Sequence, residues 1–137
     1  MDKLTPQERS ENMRRIASKN TKPEMFVRSL VHGMGFRYRL HGAKLPGNPD
    51  LVFKSRKKAI FVHGCFWHKH EGQSCKIWRV PKSRVEYWLD KLNRNKVRDS
   101  DNERKLREMG WDILVIWECQ LKEKDNLILA IQSFLDG

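Results

Sequence analysis

Phe61 to Cys75 reads FVHGCFWHKHEGQSC and holds two of the chain's three cysteines and three of its five histidines. Thiolates and imidazoles gathered this closely suit zinc. Cys65, His70, Cys75 and Cys119 together offer three sulfurs and one nitrogen, a tetrahedral set with no position left open for substrate. A closed set is structural, and its work would be to pin an irregular loop to the end of the last strand, where Cys119 stands. Three reduced cysteines, with Cys119 buried as a small hydrophobe, are the plainer alternative. His68 could also replace His70 as the nitrogen ligand.

A second group suits hydrolysis. Asp50 follows Gly47 and Pro49 and opens a strand, which puts a carboxylate at a sheet edge within reach of a hard cation. An aspartate after proline is more often a turn residue. If its strand forms a hairpin with the one carrying Val62 and His63, the Asp50 carboxylate and the Val62 carbonyl can share a magnesium ion. That ion would polarise a phosphate and stabilise the departing oxyanion. His68 is the natural general base, because a neutral imidazole takes a proton from water at physiological pH; a solvated loop histidine is the alternative. His63 would face the phosphate as a hydrogen-bonding group, or sit in the core with its nitrogens satisfied. Glu24 closes the capping box Thr21-Lys22-Pro23-Glu24, which is reason enough for it. From a helix start it could also order water around the cation at Asp50.

Phe66 and Trp67 stand in a polar, glycine-containing loop, where large rings need a partner. Exposed, they could wedge into a base stack. Trp88 falls at core spacing on a helix, so burial is its default reading. Met13, on the N-terminal arm, could enter the opposite groove.

These residues need a frame. A polar helical segment to about Ala17 carries little apolar surface, and residues 1–20 read as a mobile, DNA-contacting arm. From Thr21 a helix buries Phe26, Val27, Leu30 and Val31 and ends at Gly33 or Gly35. Phe36–Leu40 alternates as a half-buried strand. Asp50–Phe53 and Ala59–His63 are strands of a hairpin around the basic turn 54–58. Ser83 can cap a helix bearing Val85, Trp88, Leu89 and Leu92, and a charged helical stretch from Asn93 ends at Gly110. Trp111–Trp117 reads as a buried strand and Asn126–Leu135 as an amphipathic helix. The order helix, three strands, helix, strand, helix predicts an α/β fold with a mixed central sheet flanked by helices. It is also the αβββαβ order of the restriction-endonuclease-like core.

The 137 residues suit one domain spanning 1–137. Twenty-eight Lys and Arg against seventeen Asp and Glu leave a net charge of +11, which favours a polyanionic partner through counterion release. No apolar run approaches the roughly 18 residues that cross a bilayer, so no membrane role is expected. The start of the chain lacks the apolar core of a signal peptide. An odd cysteine count argues for a reducing cytoplasm.

FVHGCFWHKH, with PGNPD before it, VEYWLDK after it and GWDILVIWEC near the end, closely resembles the very-short-patch (Vsr) mismatch-repair endonucleases. NMRRIASKNTKPE resembles their N-terminal segment, so the likeness spans nearly the whole chain. The resemblance implies a bacterial enzyme, cytoplasmic and nucleoid-associated, with other repair proteins as candidate partners; a monomer is expected because a nick on one strand needs only one active site. It would nick double-stranded DNA 5′ of the thymine in a T:G mismatch left by 5-methylcytosine deamination. It implies Mg2+ on Asp50 and the Val62 carbonyl, His68 activating water with His63 and Glu24 assisting, and structural Zn2+ on Cys65, His70, Cys75 and Cys119. It places Phe66, Trp67 and Trp88 in an intercalating cluster with Met13 opposite. Two departures stand out. Val62 replaces a threonine common in the family, leaving only a carbonyl role there, and the stretch from His70 to Cys75 is longer. No acid-x-lysine motif lies on the strand 59–63.

Overall fold

The computed structural model describes residues 21–42, 44–66, 68, 70, 75 and 82–136. The expected N-terminal arm, Met13 and Trp67 lie outside them. Among the described residues, three helices and a four-stranded sheet follow in the expected order: α1 (Lys22–Gly33), β1 (Arg39–Leu40), β2 (Leu51–Phe53), β3 (Lys58–His63), α2 (Val85–Glu108), β4 (Asp112–Trp117) and α3 (Lys124–Asp136).

Thr21 caps α1 by accepting the Glu24 backbone N–H at 3.3 Å, and Pro23 sits in the first turn. Only half of the capping box is used for capping. The Glu24 carboxylate turns instead toward Arg28 and His41 and is almost fully buried, at 1% exposure. Val27 and Val31 make the buried stripe with Leu30 against it, whereas Phe26 is 39% exposed. Glu24, Val27 and Val31 share the inward stripe, and Phe26, one position before Val27, falls about 100° away from it. The chain leaves α1 through Gly35 at φ 94°, a left-handed value that glycine adopts without a Cβ penalty.

The sheet order is β1-β2-β3-β4, antiparallel at the first two junctions and parallel between β3 and β4. The 50–53 and 59–63 hairpin is present, its turn formed by a short 3-10 segment Lys54–Arg56 and Lys57 at φ 53°. β1 keeps only two of the five residues expected. β2 ends at Phe53, which among the described residues leaves Phe36 and Arg37 without a partner strand, and Tyr38 meets the Phe53 ring at 6.2 Å while its hydroxyl donates to the Arg28 carbonyl.

Leu51, Phe53, Ile60, Val62 and Ile116 form one face of the sheet and pack with Val27 and Val31 of α1 and with Leu127, Ile131 and Leu135 of α3. α2 lies against the other face: its Asn102 meets the Gly47 turn beside Phe61, and its Leu92 and Leu106 are buried. The two segments expected around residues 83–109 are one continuous helix. Ser83 does not cap it. Arg84, at φ 51° with no side-chain cap bond, occupies that position and lays its guanidinium over Tyr87 at 4.5 Å. Val85 is exposed, Trp88 and Leu89 are half-buried, and full burial begins only at Leu92. Gly110 ends the helix as expected, at φ 87°. β4 begins at Asp112, and Ile116 is its one fully buried residue, so the strand is less enclosed than WDILVIW implied. Among the described residues, no helix is long and apolar enough to cross a membrane.

Candidate active site and metal centre

The parallel register sets the site. β3 and β4 end together with His63 opposite Trp117; two residues on, Cys65 and Cys119 leave corresponding strand ends although 54 positions separate them. The Cys119 N–H donates to Cys65 Sγ (3.4 Å), and His70 Nδ1 lies 3.6 Å from Cys65 Sγ and 3.5 Å from Cys119 Sγ. The donor atoms of Cys65, His70, Cys75 and Cys119 all lie within 4.8 Å of one another. Zinc bonds of about 2.3 Å to sulfur and about 2.0 Å to nitrogen at tetrahedral angles put S and N roughly 3.5 Å apart, so the residues fit this ion. Burial pushes the Cys65 thiol up to about 12 and raises the Cys119 thiol as well. A dication in their midst would replace those protons and offset the cost of burying three thiolates. Burial also lowers His70, with Lys96 adding to it, which favours the neutral ligand form.

The second group lies beside this one. Asp50 Oδ2 accepts the Val62 N–H at 2.7 Å. In a strand a residue's N–H and C=O point toward the same neighbour, so the Val62 carbonyl also faces the Asp50 side. Glu24, His41 and Asp50 place their donor atoms within 4.8 Å of one another. Burial, and then the Glu24 carboxylate, push Asp50 up to about 7 despite the Val62 hydrogen bond. Such a like-charged pair gains from a cation between its members, and the donor set fits one.

His63 is the next residue along β3. Its ring stacks on His68 at 3.8 Å and 3°, while Trp117 meets it edge-on at 5.1 Å. His68 Nδ1 donates to Asp99 Oδ2 of α2 at 2.5 Å. Burial, and next His68, lower His63 to about 3, which favours its neutral form. Its Nδ1 is buried without a hydrogen-bond partner among the described residues. Asp50 and His68 are thus linked through two residues of β3. Trp117 also stacks on His70 (4.0 Å, 8°), which joins the two groups.

Phe66 and Trp88, far apart in sequence, meet at 5.8 Å edge to face beside Tyr87 and Lys91. Both are half-buried, which sets aside full core burial for Trp88. Sequence reasoning missed three residues of the site. His41 was predictable by extending the β1–β2 ladder, since its N–H donates to the Asp50 carbonyl. Trp117 follows from the β3–β4 register. Asp99 sits in a charged helical stretch and carries no local signal.

The family model for DNA mismatch endonuclease Vsr matches residues 1–75. The DNA mismatch endonuclease Vsr of Escherichia coli K12 is 43% identical over 126 residues, covering 92% of this chain and 77% of that protein. The chain belongs to the Vsr family of DNA mismatch endonucleases. Vsr-family relatives also include the type II nicking enzyme V.XorIIP of Xanthomonas oryzae pv. oryzae, 46% identical over 135 residues, 98% of this chain and 97% of its own. Among solved structures, the catalytic domain of homing endonuclease I-Bth0305I aligns with a TM-score of 0.55 at 22% identity, covering 84% of this chain and 94% of that domain. At that identity the likeness speaks for the fold alone.

Proposed function

We propose that this Vsr-family protein nicks double-stranded DNA 5′ of the thymine in T:G mismatches, using Mg2+ at Asp50 and a structural Zn2+ at Cys65, His70, Cys75 and Cys119. The observation that carries the reading is the meeting of a buried carboxylate group (Asp50, Glu24) with a stacked histidine pair (His63, His68) across Val62 and His63 of β3. Asp50 and the Val62 carbonyl would hold a hard cation, which when bound would supply positive charge beside the phosphate and the departing oxygen. With Nδ1–H committed to Asp99, His68 keeps Nε2 free to take a proton from water. His63, held neutral, is suited to donate a hydrogen bond to a phosphate oxygen. Glu24, in the same donor cluster as Asp50, would help order water around that cation. Phe66 and Trp88, which meet edge to face, open the base stack, and the family resemblance assigns Trp67 and Met13 to the same task.

The αβββ-helix-strand order with a mixed sheet supports a restriction-endonuclease-like core in a single domain, 1–137. The charge of +11 supports a phosphate-backbone partner. One site per chain suits a monomer, since a nick cuts one strand, and family membership supports action in the bacterial cytoplasm, at the nucleoid, beside other repair proteins. The test compares otherwise identical duplexes with a T:G or a T:A pair, with Mg2+ and with chelator. Magnesium-dependent nicking of the T:G strand alone is expected. Equal nicking of the matched duplex would favour a sequence-specific nickase, in keeping with relatives named as nicking enzymes.

A further inference from the structure

Beside the Asp50 carboxylate stands an imidazole that the reading above leaves without a role. The His41 N–H donates to the Asp50 carbonyl at 3.1 Å and the Gly42 N–H to the Pro49 carbonyl at 3.0 Å, so the two segments run side by side into the site. His41 holds a left-handed backbone, φ 49°, which non-glycine residues adopt only at some cost. Its ring Nε2 lies 3.0 Å from Glu24 Oε2, and its donor atom, those of Glu24 and those of Asp50 share one 4.8 Å cluster. Arg28 also reaches Glu24, at 3.3 Å, so an ion pair with His41 is not needed to neutralise that carboxylate.

We infer that His41 is a direct nitrogen ligand of the cation bound at Asp50, and that the site therefore takes a manganese-class dication more tightly than magnesium. This rests on the reading that Asp50 binds the cation. Two carboxylates alone make an all-oxygen site, which suits magnesium or calcium. One imidazole nitrogen added to two carboxylates shifts the preference toward Mn2+, Co2+ and their neighbours, which accept nitrogen readily where magnesium does not. Bound there, the cation would take the place of the proton that Nε2 now shares with Glu24. The zinc group cannot serve as this site, because its thiolates select softer ions and its four ligands close the tetrahedron.

The experiment uses zinc-loaded, full-length protein and Mn2+ as the probe. Pulsed electron paramagnetic resonance reads a directly bonded 14N on the manganese, and titration reads its dissociation constant, with Mg2+ as competitor. The variant is His41→Asn, because asparagine tolerates a positive φ better than most residues and its side chain is too short to reach Glu24. Wild type is expected to show one directly coordinated nitrogen. His41→Asn should lose that signal and bind Mn2+ about tenfold or more weakly, while its competition by Mg2+ becomes more effective and its melting temperature stays within a few degrees. The same measurement on His63→Phe should retain the signal, excluding the imidazole of His63 as its source. A wild-type spectrum without bound nitrogen, or a nitrogen signal that persists in His41→Asn, overturns the inference. Loss of Mn2+ binding in Asp50→Asn checks the reading beneath it separately. Should Asp50→Asn bind Mn2+ as wild type does, it is the placement of the cation, not the role of His41, that fails.

Discussion

Replacing His63 by phenylalanine should expose a gain in stability on mild acidification that the wild type conceals. His63 is 5% exposed, and burial and then His68 lower it from 6.5 to about 3. Its contribution to stability is therefore whole above 6.5 and is lost as pH falls toward about 3, because the unfolded chain binds a proton that the native chain refuses. Asp50 works in the opposite sense, raised from 3.8 to about 7 by burial and then by Glu24. Its cost is absent below 3.8 and complete above about 7, so acidification relieves it. Between about pH 7.5 and about pH 5.5 the His63 loss comes to about 1.4 kcal/mol and the Asp50 gain to about 2 kcal/mol. The two nearly cancel, and the wild type should be almost flat across this window. A phenylalanine ring keeps the stack on His68 and the edge contact with Trp117 but cannot titrate. Urea melts of zinc-loaded protein without Mg2+ at the two pH values should show His63→Phe gaining about 1.4 kcal/mol over wild type on acidification, and Asp50→Asn losing about 2 kcal/mol against it. Parallel pH responses in all three proteins would refute the opposed titrations.

Asp99→Asn should lower kcat by about 10²–10⁴-fold, through misorientation of His68, while the KM for mismatched DNA stays nearly constant; unchanged turnover in a steady-state nicking assay would remove its positioning role. Cys119→Ser should abolish stoichiometric zinc by elemental analysis and lower the melting temperature by about 5–10 °C, and a zinc-free wild type of equal stability would count against the metal centre. Gly47→Ala should cost about 1–3 kcal/mol in urea melts, since Gly47 holds φ 79° and a Cβ there would lie 3.0 Å from Asn102 Cβ and 3.1 Å from the Phe61 ring. A neutral effect would mean that the turn before Asp50 can relax.

What could be read from the sequence was local. The Thr21 cap, the 50–63 hairpin and the left-handed Gly110 each depend on residues a few positions apart. The Cys/His group was legible because its donor types are rare and restrictive, even with Cys119 distant. Side chains whose partners lie across the fold were not. His41 and Asp99 meet Glu24 and His68 across 17 and 31 positions, and in sequence they look like a loop histidine and one more charge on a polar helix. The wrong expectations failed in the same way. Ser83 had the chemistry of a cap, but the chain turns at Arg84. Phe26 had the spacing of a core residue, but the buried stripe of the helix runs through Glu24, Val27 and Val31 and leaves it at the edge.

The shared ending of β3 and β4 makes the group around Asp50, His63 and His68 and the thiol group one mechanical part. A slip of one residue between these two strands would turn the side chains of β4 to the opposite side of the sheet. It would carry Trp117 away from His63 and separate the sulfur of Cys119 from that of Cys65 in the same movement. A single-residue insertion or deletion within 112–119 should therefore abolish strand scission and zinc retention together, with no variant in which one outlives the other.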